Sequence, residues 1–213
     1  PTVSDWPNFR PAEDTLPDYF NGQQQNIGAL LGPASQGLVD VDLDWPETEL
    51  LADAFLPASW RFGRRDDVGQ FHLRHVLLRC QDIPSTDWKA PASIFSKPLS
   101  IVQILAKGKQ VVLPGSIHED TGQELFWTAE PAEDALAEMP ADQLLQAVNR
   151  LAGTAMLVRL WPDLEGSRHE VALALAGACH HAGWEHADIE HMAVALLTAA
   201  HDTEKRDRAK AVH

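Results

Sequence analysis

The chain is 213 residues long, 45% hydrophobic and 23% charged, with a formal net charge of −14. That balance excludes fibrous and disordered classes, and no apolar stretch is long enough to span a bilayer, so no membrane partner is expected. The acidity argues against a protein that grips a nucleic-acid backbone over its whole surface. Residues 61–79 reverse it locally, with Arg61, Arg64, Arg65, Arg74, Arg79, His72 and His75 against Asp66 and Asp67. Cys80 and Cys179 are far apart without a CxxC pair, which suits a reducing cytoplasm and excludes a cysteine zinc site. The first twenty residues have neither a basic nor an apolar signal region, so a cytoplasmic location is expected.

In chain order, short β-prone runs are separated by Gly, Pro and Asn as far as about residue 128: "IGALLG", "GLVDVDLD", "SWRFGR", "FHLRHVLLR", "LSIVQILAKGKQVVLPG" and "ELFWTA". Between the second and third, "PETELLADAFLP" has helical spacing, with Leu50, Leu51, Ala54 and Phe55 on one face. The linker "TAEPAEDALAEMPAD" leads into an Ala- and Leu-rich region that predicts helices over about 140–161, 167–182 and 186–202. Ser167 and Glu170 form a capping box for the second, and Gly183 supplies its stop. The expectation is an α+β domain over 1–130 followed by a small all-α helical bundle over 131–213. The charged end "HDTEKRDRAKAVH" lacks a stop signal and reads as a piece of a longer protein.

Three stretches carry chemistry. In "GLVDVDLDWPE", Asp40, Asp42 and Asp44 fall on alternate positions of a strand and so share a face. Carboxylates that close raise each other's pKa unless a cation sits among them, so the pattern asks for a metal. The alternative is a strand running into an acidic loop, with Asp44 capping the helix at Pro46. In "FGRRDDVGQFHLRH", a regular strand puts His72 and Arg74 on one face and His75 on the other, and guanidinium with imidazole suits phosphate. In "KGKQVVLPGSIHEDTGQELFW", the "PGS" turn brings Ser116 and His118 to the mouth of a pocket, or is a plain surface loop.

Taken in order, "NIGALLG…S…GLVDVDLD", "FGR…H" and "VVLPGSIH…TG…FW", from about Asn26 to Trp127, resemble the bifunctional DNA primase/polymerase domain of the archaeo-eukaryotic primase superfamily. The form is the one found in phage and plasmid replication proteins. The resemblance implies an RRM-like catalytic domain that joins nucleoside triphosphates on a single-stranded DNA template. The helical segment resembles the one that precedes a helicase in such proteins. It implies Asp40 and Asp42 as the hDhD metal ligands, with Asp44 extending the run, and Mg²⁺ or Mn²⁺ as cofactor. It implies His72 as the histidine on the incoming phosphates, with Arg64 and Arg74 as helpers, and Ser116 and His118 as the border of the nucleotide pocket.

At one position the chain departs from the family pattern. The third carboxylate usual before the "PGSxH" turn is replaced in "VQIL" by Gln103, with Leu105 at the following arginine position. An amide oxygen can ligate Mg²⁺ but brings no charge. A nucleotide- or nucleic-acid-binding relative that has lost the reaction is therefore one alternative, and a metal-dependent nuclease or phosphohydrolase using the same aspartates is another. Cys179, His180, His181, His186, His191 and His201 lack the i, i+4 pairing of a helical metal site, and the histidines read as solvated helical positions.

Overall fold

The computed structural model describes residues 8–20, 22, 25–162 and 167–202. Within them α1 (Leu16–Tyr19) and β1 (Gly28–Leu30) precede β2 (Leu38–Leu43), α2 (Pro46–Phe55), β3 (Trp60–Arg65) and β4 (Phe71–Arg79). Next come β5 (Thr86–Ala90), α3 (Ala92–Phe95), β6 (Leu99–Leu105), β7 (Gln110–Val112) and β8 (Leu125–Trp127). The chain ends in α4 (Ala141–Arg159), α5 (Ser167–His181) and α6 (His186–Ala199). Six strands form one sheet in the order β5-β6-β2-β4-β3-β8, and β1 and β7 form a second. The fold is the α+β type expected from the sequence, strands first and helices after. No described helix is long and apolar enough to cross a membrane.

The chain divides into two compact units, the first comprising Pro1–Asp42, Ser59–Thr86 and Ile104–Ala141. Here β2 runs antiparallel to β4, with Asp42 opposite His75, Asp40 opposite Leu77 and Leu38 opposite Arg79. Val39, Val41, Val76 and Leu78 occupy the other face and are fully buried, which is why "LVDVDL" alternates aliphatic with acidic residues. Leu31, Leu38, Phe62, Leu77, Val111 and Leu125 form a core on the aspartate face. That face is therefore packed at one end and polar at the other.

The β3–β4 pairing contains the irregularity that shapes the polar end. Phe62 pairs with His75 but Gly63 pairs with Leu73, so β4 carries one extra residue, Arg74, against β3. This is a β-bulge, and the glycine inside "WRFGRR" is its local cause. A Cβ on Gly63 would lie 1.8 Å from the carbonyl oxygen of His72 and 2.8 Å from its carbon. Only glycine admits the backbone that close.

The second unit comprises Leu43–Ala58, Asp87–Gln103 and Asp142–His213. Pro46 opens α2, with Trp45 rather than Asp44 at the N-cap and no side-chain cap bond there. Thr48 Oγ1 donates instead to the Trp45 carbonyl, 2.7 Å. Arg159 of α4 grips Glu47 with two bonds of 2.9 and 2.6 Å while its guanidinium lies 3.7 Å from the Trp45 ring centroid. A half-buried bidentate pair stacked on indole fixes α4 against α2 in a way lysine cannot. Arg150 holds Asp188 likewise. Helix α5 stops where predicted, with Gly183 at φ 80° and Trp184 N–H bonded to the Cys179 carbonyl. Residues 163–166, just ahead of α5, and those after Asp202 lie outside the described residues.

Candidate active site

Asp40 is fully buried, and its Oδ2 lies 2.9 Å from His75 Nδ1. The same nitrogen is 3.8 Å from Asp42 Oδ1, whose side chain is 24% exposed. His75 stacks on Phe62, ring centroids 4.5 Å apart and 20° from parallel. Burial pulls the His75 pKa down, but the charge and hydrogen bond of Asp40, joined by Asp42, outweigh it and leave the pKa raised. The imidazole thus lies between two carboxylates, hydrogen-bonded to Asp40 and close to Asp42. The sequence reading did not assign it to the site.

The bulge also corrects the expected faces of β4. Phe62 and Arg64 are two residues apart on regular β3 and so point the same way; their partners are His75 and His72. His72 and His75 consequently share the aspartate face instead of opposing each other. The signal was present in the sequence, because a lone glycine inside a strand pattern marks a bulge.

His72 Nε2 lies 3.2 Å from Asp66 Oδ2 at the β3–β4 turn. Asp66 Oδ1 meanwhile accepts the Val68 and Gln70 N–H groups. The hydrogen bond from His72, more than those two, holds the Asp66 carboxyl below its ordinary range. The aspartate therefore fixes both the turn and the ring. Arg64 is held below its usual value by burial and by the charge of Arg74, against the pull of Asp42 and Asp120. Arg64 and Arg74 are thus near enough for their charges to act on each other, with Asp42 and Asp120 also within reach of Arg64.

Ser116 and His118 follow β7 in a turn that β1 holds. Ser116 is 1% exposed, and its Oγ accepts the Ile27 N–H, 2.9 Å, so its side chain ties the turn to the segment ahead of β1. His118 bonds Thr121 Oγ1 through Nδ1, 3.2 Å. Burial and the nearby Arg64 charge push its pKa down, with Asp120 opposing, which places the ring on the same electrostatic ground as Arg64.

Asp44 and Gln103 belong to the second unit, where Gln103 Nε2 donates to Asp44 Oδ2, 3.1 Å. The Asp44 N–H donates to the Ile101 carbonyl, 3.2 Å, beyond the end of β2. The amide at the position of an expected third carboxylate is thus already engaged with the outermost aspartate of the run.

Among the described residues no group of three or more His, Cys, Asp or Glu side chains forms a ready metal cage. A divalent ion does fit the pair that is present. Asp40 Oδ1 is buried without a hydrogen-bond partner among the described residues, an arrangement that costs about 1–3 kcal/mol when nothing satisfies the atom. Asp42 stands two residues further along the same face. Mg²⁺ in phosphoryl-transfer sites is held by one or two carboxylates, with substrate phosphates and water completing its shell, so two aspartates suffice when a triphosphate supplies the rest.

A protein-family model, "Bifunctional DNA primase/polymerase, N-terminal", matches residues 3–142, about two thirds of the chain. No curated protein and no solved structure matches it. The matched span contains β1 to β8 and every residue of the aspartate–histidine–arginine cluster. The chain belongs to the bifunctional DNA primase/polymerase N-terminal family, a family of nucleotidyltransferase-type enzymes that act on DNA and nucleotides and use divalent metals.

Proposed function

We propose that this chain carries out template-directed nucleotidyl transfer, making or extending primers on single-stranded DNA in mobile-element replication, with Mg²⁺ or Mn²⁺ held by Asp40 and Asp42. The observation that carries the reading is the buried, unsatisfied Oδ1 of Asp40 on a face that also presents Asp42, His72, His75 and Arg64. A divalent ion held by Asp40 and Asp42 would supply charge neutralisation for the triphosphate and lower the pKa of a 3′-hydroxyl. The protein's own part is positioning and charge. His75 holds Asp40 in one orientation, Arg64 and Arg74 take the phosphate charge, and His72, steadied by Asp66, donates to a phosphate oxygen. Ser116 and His118 border the nucleotide pocket. In this reading the catalytic domain spans 1–130, and the helical region over 131–213 is an accessory domain.

A second reading, a relative that binds nucleotide or nucleic acid without reaction, is favoured by Gln103 alone. The two readings part in one assay: pyrophosphate release from nucleoside triphosphates with single-stranded and primed DNA, with Mn²⁺ and with chelator. Transfer predicts metal-dependent pyrophosphate in step with longer DNA. Triphosphate binding without pyrophosphate supports the binding module, and mononucleotides released from the DNA indicate a nuclease. Gln103→Glu replaces a donor to Asp44 with a carboxylate and restores the charge of the family pattern. Its incorporation rate should rise about tenfold in saturating Mn²⁺; a rate at or below that of the unmodified chain shows that the missing charge does not limit the reaction.

A further inference from the structure

We propose that Asn26 is a positioning residue for the triphosphate pocket, its side-chain amide locking Ile117 and thereby fixing the turn that presents His118. This role rests on the nucleotidyl-transfer reading. Asn26 Nδ2 donates to the Ile117 carbonyl, 2.7 Å, and Asn26 Oδ1 accepts the Ile117 N–H, 2.9 Å. The carboxamide thus reproduces both hydrogen bonds of a strand residue, and it does so just ahead of β1. The ladder between β1 and β7 pairs Gly28 with Val112. It continues through Leu113 N–H to the Ile27 carbonyl and through Ile27 N–H to Ser116 Oγ. Asn26 is its last rung.

What the rung holds is a short, self-contained turn. Ile117 bridges Glu124, His118 N–H donates to the Gln123 carbonyl and the Gly122 N–H donates back to His118, each 2.8 Å. The pairing of β1 with β7 fixes one side of this loop, and among the described residues the Asn26 amide continues that pairing to the residue next to His118. Arg64, His75, Asp120 and Glu119 lie near enough to the ring to act on its charge, the first two belonging to the proposed phosphate and metal site. Freeing the loop would therefore move His118 relative to Arg64 while leaving Asp40 and Asp42 where they are. Asn26 itself is exposed, so its loss removes two hydrogen bonds without opening a cavity.

The test uses the full chain with a primed DNA template, Mn²⁺ and either ATP or dATP. In Asn26→Ala the nucleotide KM should rise about tenfold with kcat within twofold, the signature of lost substrate positioning. Hydrogen exchange at the Ile117 amide should quicken about tenfold, and the unfolding midpoint should stay put. Asn26→Asp keeps the acceptor for the Ile117 N–H but loses the donor, so exchange stays slow and KM falls between the two. Faster exchange with an unmoved KM would show a purely structural bond and overturn the proposal, as would unchanged exchange in Asn26→Ala. No incorporation by the unmodified chain would overturn the nucleotidyl-transfer reading and this role together, whereas a working chain with an unmoved KM overturns the role alone.

Discussion

Replacing Asp42 with alanine should cut nucleotide incorporation about 10³-fold, the scale lost when a group that meets developing charge is removed, while leaving the unfolding midpoint close to that of the unmodified chain. Asp42 is partly exposed and stands 3.8 Å from His75 Nδ1, so its removal strips a carboxylate from the site without emptying the core. Asp40→Ala should abolish incorporation to a similar degree but also destabilise the fold, because it leaves His75, enclosed between Phe62 and the aspartates, without its 2.9 Å partner. Parallel measurements of rate and denaturation midpoint separate the two. A strongly destabilised Asp42→Ala, or an Asp42→Ala that retains its rate, would mean that the carboxylate is structural or idle.

The second large effect belongs to Gly63, which touches no substrate in this account. Its added Cβ would meet the carbonyl group of His72 at 1.8 Å, and a backbone atom cannot swing aside as a flexible side chain can. Gly63→Ala should cost about 3 kcal/mol of stability, read by chemical denaturation. Where the protein remains folded, the bulge must relax, and with it the alignment of His72 and Arg64 opposite the aspartates. Incorporation should therefore fall further than stability alone explains, with the nucleotide KM rising. Alanine at this position with normal stability and normal KM would contradict the bulge and the shared face that depends on it.

Much of the fold could be read from residue patterns because the strands of the first unit are buried on one side and polar on the other. The alternation in "LVDVDL" gives β2 its position and its face, and Gly183 gives α5 its end. The β5 strand escapes notice for the opposite reason: "TDWKA" is a short edge strand with exposed Asp87 and Lys89, and its pairing comes from the neighbouring strand more than from its own pattern. The single-turn helices α1 and α3 are likewise fixed by context.

The candidate site is legible in part. That Asp40 and Asp42 share a face follows from strand periodicity, whereas Arg64 enters only through the family resemblance. The face shared by His72 and His75 does not follow, because the bulge at Gly63 breaks the regular period of β4. Nor does the engagement of Ser116 and Asn26, whose partners lie 89 and 91 residues away in sequence. No local pattern encodes such a distance.

The central claim is that Asp40 and Asp42 hold the metal on which nucleotide joining depends. It is tested most directly by incorporation of labelled nucleotides on a primed single-stranded DNA template across a Mn²⁺ titration, comparing the unmodified chain with Asp40→Asn/Asp42→Asn. The asparagines keep the size and most hydrogen bonds of the aspartates while removing their charge. The account predicts saturable, metal-dependent incorporation by the unmodified chain and none by the double variant at any Mn²⁺ concentration. Incorporation by the folded double variant at the rate of the unmodified chain would contradict it.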